Sequence, residues 1–177
     1  MSQLKVNSIV PVGGLPSGAN GGIIQVVQAT HTAEVSTTGT SFVDTGLSGS
    51  ITPSSNSSKI LIIVAQRFYI KRSTDQARGG FRLLRGSTVI QQGPNNASGS
   101  EPAGEGFSSA NGPGAIQVAG VYSTTFLDSP STTSATTYKT QFANNQSSAS
   151  PQIYVNTTDS NSGEDGVSTI TLFEVTA

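Results

Sequence analysis

Lys59-Ile60-Leu61-Ile62-Ile63-Val64-Ala65-Gln66-Arg67-Phe68-Tyr69-Ile70-Lys71-Arg72 decides the fold class. Its first half is apolar at every position and rich in β-branched residues. That predicts a strand with both faces buried, as at the centre of a sandwich. The run from Ile60 to Ala65 is six residues long, far short of the roughly 20 that span a bilayer as a helix. No membrane insertion is expected.

The flanks repeat the β signal. Upstream, Leu47-Ser48-Gly49-Ser50-Ile51-Thr52 alternates and stops at Pro53, with Phe42 to Gly46 leading into it. Ser54 to Ser58 reads as a loop. Ile23 to Ala29 is a strand, and His31 to Ser36 a weaker one. Downstream, Arg78–Arg85 and Thr88–Gln92 form a hairpin around Gly86-Ser87. Gly93 to Gly114 is a long loop holding Glu101, Glu105 and Phe107. Strands follow at Ile116–Leu127, Ala135–Ala143, Gln152–Asn156 and Val167–Val175. In the last, Val167, Thr169, Thr171, Phe173 and Val175 face one way, and Ile170, Leu172 and Glu174 the other. Nine or ten strands in residues 23–177 predict an antiparallel two-sheet sandwich, jelly-roll-like. The expected core is Ile60, Ile62, Val64, Phe81, Leu83, Val121, Phe142, Ile170 and Leu172.

Composition agrees. The 177 residues include 27 serines, 21 threonines and 20 glycines, and only 11 % are charged. Poor helix formers between β-branched runs exclude a helical bundle, and low charge sets the chain apart from ordinary disordered segments. Residues 1–22 form a separate unit. Leu4, Val6, Ile9, Val10 and Val12 are apolar, and Pro11 to Gly22 carries five glycines and two prolines. This is an extended arm with a hinge, too small to bury its own apolar surface. It is expected to bind a partner chain.

The chemistry-bearing residues are few. There is no Cys, so no disulfide or thiolate site. The single His31 excludes a multi-His zinc centre, and no Gly-x-Ser-x-Gly elbow is present. His31 reads as a surface or interface residue. Asp159, Asn161 and Asp165 offer oxygen ligands around Gly163 like half a calcium loop. The twelfth-position Glu and flanking helices are absent, so a solvated acidic turn is favoured. No metal and no cofactor are expected. Four Asn-x-Ser/Thr sequons, at Asn56, Asn96, Asn145 and Asn156, arise by chance in so Ser/Thr-rich a chain. Tyr69, Phe107, Tyr122 and Tyr138 could stack on sugars, but alternating positions make all except Phe107 core residues. Glu101, Glu105 and Asp128 are the acids a glycan-cleaving site would need. Seven of the nine Lys/Arg lie between Lys59 and Arg85; such a cluster can mark contact with another chain or an anionic polymer, but they are expected to meet acidic strands within the fold. The net charge of −1 argues against nucleic-acid binding. Met1 to Val6 shows no signal-peptide h-region, so synthesis in the cytoplasm is expected.

Several segments resemble tail-fibre and other appendage proteins of marine and cyanobacterial phages. They include Leu4-Lys5-Val6-Asn7-Ser8-Ile9-Val10-Pro11-Val12-Gly13-Gly14 and Gly22-Ile23-Ile24-Gln25-Val26-Val27-Gln28. Others are Ser58-Lys59-Ile60-Leu61, Phe81-Arg82-Leu83-Leu84-Arg85-Gly86-Ser87, Leu127-Asp128-Ser129-Pro130 and Ser168 to Val175. The resemblance implies a non-enzymatic virion protein, attached to other virion proteins through the arm. It implies a β domain facing outward, where a host surface glycan is the partner, and by analogy with virion spikes a homotrimer. No catalytic residue is carried over. A capsid decoration protein, a carbohydrate-binding module and a glycan-degrading enzyme are the alternatives. The sandwich follows the arm directly, with no shaft between them, which leaves the first of these open.

Overall fold

The computed structural model describes residues 22–72, 78–93, 105–108, 116–144, 152–157 and 166–176. The arm, with Leu4, Val6, Ile9, Val10 and Val12, lies outside the described residues, as do Glu101 and the acidic segment with Asp159, Asn161 and Asp165.

Eleven strands occur among the described residues. They are β1 (Ile23–His31), β2 (Val35–Thr37), β3 (Val43–Ile51), β4 (Lys59–Arg72), β5 (Arg78–Arg85), β6 (Thr88–Gln92), β7 (Glu105–Ser108), β8 (Ile116–Asp128), β9 (Thr136–Asn144), β10 (Gln152–Val155) and β11 (Ser168–Val175). Every pairing is antiparallel. In the first sheet β8 pairs with β4 along its whole length, while β11 and β10 share the other edge of β4. β1 and β2 lie outside β11 and β10. The second sheet runs β3-β9-β5-β6, with β7 beside β6 on the same edge of β5. Leaving out β2, β7 and β10, eight strands remain. In chain order they stack first–eighth–third–sixth in one sheet and second–seventh–fourth–fifth in the other. That is the jelly-roll winding the sequence pointed to.

The two sheets close on one core. From the first sheet come Ile60, Ile62, Val64, Ile70, Ile170 and Leu172, all at 0 % exposure. The second contributes Leu47, Phe81, Leu83, Tyr138 and Phe142. Phe81 stacks on Tyr122 of the facing sheet at 4.8 Å between centroids. Tyr122 and Tyr138 are buried as alternation implied; Tyr69 is buried too, but on the parity of Leu61 and Ile63, against Tyr154.

Four expectations need correction. The first half of β4 buries one face only. Ile60, Ile62 and Val64 point inward, while Leu61 is half-buried and Ile63 is 39 % exposed. Val121 is 53 % exposed, because register places it opposite Arg67 on the outer face. The region 93–114 is not wholly a loop, since β7 hydrogen-bonds to β5. His31 ends β1, and the strand expected from His31 to Ser36 shrinks to Val35–Thr37.

Local backbone chemistry fits the turns. Gly86 has φ +57° at the β5–β6 hairpin, where a left-handed residue is needed. In β3 the register shifts between Asp44 and Ser48, and Gly46 has φ +86° there. The bulge lets the His31 ring from the other sheet lie on Gly46, where a Cβ would sit 2.4 Å from the imidazole.

Candidate interaction surface

The outer face of the first sheet is laid out by register. One row crosses four strands as Val26, Phe173, Leu61 and Leu127. The next is Gln28, Thr171, Ile63 and Thr125, and the third is Thr30, Thr169, Ala65 and Ser123. Twelve outward residues form a four-by-three grid without a single charge. With strands about 4.8 Å apart and same-face residues about 6.8 Å apart, the grid covers roughly 400 Å². Val26 is 55 % and Leu127 50 % exposed, and Ile23 and Ile24 lie exposed at its corner. Six of the twelve are apolar and six are Ser, Thr or Gln; the fully apolar first row, Val26, Phe173, Leu61 and Leu127, is the part best suited to contact with a partner. Lys59 flanks the first row, and Arg67 lies beyond the third.

The outer face of the second sheet is different. Lys139 Nζ donates to Asp44 Oδ2 at 2.8 Å, and Gln141 Nε2 to Asp44 Oδ1 at 2.7 Å. Partial burial would raise the Asp44 pKa. The hydrogen bonds from Lys139 and Gln141, with the positive charges of Lys139 and Arg82, outweigh it and hold the carboxyl below its ordinary value. Arg82 donates twice to Gln141 Oε1 and stacks 4.1 Å over Phe42. Ser50 and Thr137 hydroxyls meet at 2.6 Å. On this face Asp44, Lys139, Gln141 and Arg82 are bonded to one another.

Between the sheets runs a buried polar chain. Thr45 Oγ1 meets Thr140 Oγ1 at 2.6 Å, Thr140 Oγ1 donates to Gln66 Oε1 at 3.0 Å, and Gln66 Nε2 donates to Ser168 Oγ at 2.6 Å. Ser168 Oγ accepts from Arg67 N and donates to Asn156 Oδ1. Asn156 Nδ2 donates to Ala33 O at 2.9 Å and reaches His31 Nδ1 at 2.8 Å. Asn156 itself has φ +66°, which Asn tolerates better than most residues. His31 meets Asn156, not Ser168, so the Ser–His contact that activates a hydroxyl is not formed at this pair. The network ties the sheets together. Sequence reasoning missed it because Ser and Thr are everywhere in this chain.

Asp128 is the one glycan-cleavage candidate whose side chain is described. It is 6 % exposed and bound by Arg85 Nη1 at 2.9 and 3.0 Å and by the Tyr138 hydroxyl at 2.7 Å. Burial, then the bond to Asp128, pushes the Tyr138 phenol far above its ordinary range. Arg85, one of the seven basic residues between Lys59 and Arg85, thus pairs with an acid within the fold. Glu105 is placed only as a backbone position, opposite Phe81. Among the described residues no group of three or more His, Asp or Glu is arranged to hold a metal ion.

No protein-family model matches the chain, and no curated protein matches. A solved structure of infectious bursal disease virus, Gx strain, is similar over 86 % of this chain and 40 % of that one, at 12 % identity and TM-score 0.34. The chain therefore spans less than half the length of that neighbour.

Proposed function

We propose that the chain is a non-enzymatic structural component of a phage virion, most simply a tail-fibre component. Its arm, residues 1–22, docks on the particle, and the sandwich is displayed toward the host surface, with three copies assembling together. The observation that carries this is the contrast between the two outer faces. One is an uncharged grid suited to burial against protein; the other is polar, ion-paired and suited to water. A capsid decoration protein is the second reading, favoured by β1 starting at Ile23, with no segment between it and residues 1–22.

The test is a version starting at Gly21. Its melting should match the full chain within a few degrees, and it should fail to enter particles. Normal incorporation would place attachment elsewhere, and loss of folding would make the arm part of the sandwich. Locating the protein in an assembled particle separates fibre from shell.

A further inference from the structure

The grid has three rows and no described cover. The most economical cover is within the chain. Residues 1–21 lead into Gly22, which is fastened at the first-row end of the sheet: Gly22 N donates to Thr176 Oγ1 at 2.9 Å, and Thr176 N to Gly22 O at 3.1 Å. The arm therefore leaves beside Ile23, Ile24 and Val175, at the corner of the apolar row. Its apolar positions are Leu4, Val6, Ile9, Val10 and Val12, and its only charged side chain is Lys5. An uncharged surface and a nearly uncharged apolar segment match in chemistry. They also match in length: Leu4 to Val12 extended reaches about 30 Å, enough to cross a grid about 20 Å wide.

Two considerations choose whose arm it is. β1 enters the sheet from beyond the first row, so residues before Gly22 would need to reverse direction to cover their own grid. Area is the second. Two grids face to face would cover roughly 400 Å² per copy, about half of a standard interface. When each copy gives an arm and receives one, each copy buries its arm as well as its grid. That contact is heterologous, so it closes into a ring when the rotation allows.

We infer that the uncharged outer face of the first sheet receives residues 4–12 of a second copy of this chain. This rests on reading the arm as a docking segment and names its seat. The fourth strand of the grid, β8, pairs only with β4 among the described residues.

The absence of cysteine makes the test clean. Full-length chains carrying Leu4→Cys, Val6→Cys or Ile9→Cys are mixed with tagged full-length chains of different mass carrying Ile63→Cys or Thr125→Cys. Both grid positions are exposed, and two of them guard against one variant misfolding. Copper–phenanthroline in air oxidises the thiol pairs, and non-reducing gels read the products. The expected result is a reducible heterodimer band for at least one arm position, several-fold stronger than with the control Ser50→Cys on the second sheet. Equal cross-linking to Ser50→Cys, or none to the grid, overturns the inference. A single chain bearing both Val6→Cys and Ile63→Cys that loses its thiols with no gain in mass also overturns it, because the arm then lies on its own domain. Particle incorporation is read separately. An arm needed for incorporation that never meets the grid defeats this inference and leaves the docking reading standing.

Discussion

Thr140 is the middle link of the polar chain between the sheets, and Thr140→Val removes its hydroxyl at almost constant volume. Thr140 and Gln66 are both at 0 % exposure. The substitution leaves Gln66 Oε1 without its donor, since Thr140 Oγ1 at 3.0 Å supplies that bond. Thr45 suffers less, because its hydroxyl also reaches Thr140 O at 3.3 Å and accepts from Leu47 N at 3.1 Å. An orphaned buried acceptor costs about 1–3 kcal/mol. Gln66→Leu removes more polar atoms yet strands fewer partners. Thr140 Oγ1 keeps Thr45, and Ser168 Oγ keeps Arg67 N and Asn156. Replacing a polar group by an apolar one of similar shape is then near neutral, within about 1 kcal/mol. The double variant should accordingly be more stable than Thr140→Val alone. Urea unfolding followed by circular dichroism, at one fixed protein concentration, reads all four corners of the cycle. A loss of 2 kcal/mol appears as roughly 4–8 °C in Tm at this chain length. If Gln66→Leu costs as much as Thr140→Val and the two simply add, the hydrogen-bond accounting is wrong.

Ile62→Ala, on the inner face of β4, should cost about 2–5 kcal/mol, while Ile63→Ala one residue on should cost under about 1 kcal/mol; equal losses in thermal melts would show that β4 is buried on both faces after all. Glu174 is 1 % exposed. Burial raises its pKa, but hydrogen bonds from the Ser54 and Ser58 side chains and the Ser54 and Ser55 backbone outweigh that and leave it lowered. Its stabilisation is therefore present above the unfolded value near 4.5 and is lost as pH falls through the folded value. Glu174→Gln should flatten the stability-versus-pH curve below about pH 5, and an unchanged acid limb would contradict the assignment. Gly46→Ala must tolerate both φ +86° and a Cβ 2.4 Å from the His31 ring, and should destabilise by more than about 2 kcal/mol in the same melts.

Much of the fold was legible because alternation is a local signal. Val167 to Val175 sorted Ile170 and Leu172 onto the inner face unaided, and Gly86-Ser87 marked a hairpin by the left-handed residue it requires. The two errors about burial share a physical cause. A strand whose outer face is apolar gives no alternation, so Leu61 and Ile63 passed for core, and Val121 did likewise on β8. The same uninterrupted apolar run that hid the strand's orientation is what makes the outer face a candidate surface. The polar chain was unreadable for the opposite reason. Gln66, Thr140, Thr45 and Ser168 are brought together by pairing across up to 102 residues, and nothing local distinguishes them from dozens of other Ser and Thr positions.

The closure of β1 on β11 has a consequence for synthesis. Gly22 and Thr176 hydrogen-bond across 154 residues of chain, and β4 takes β11 as its neighbour along half its length. The first strand and the centre of the first sheet therefore wait for the last strand to be translated and released. Until then the stretch Ile60 to Ala65 has one open edge on a nascent chain emerging at roughly 5–20 residues per second. Such non-local pairing slows folding and lengthens exposure to aggregation. A ribosome stalled a few residues before Ser168 should hold an unfolded, protease-sensitive chain, and expression yield should respond to chaperone supply more strongly than to any single surface substitution.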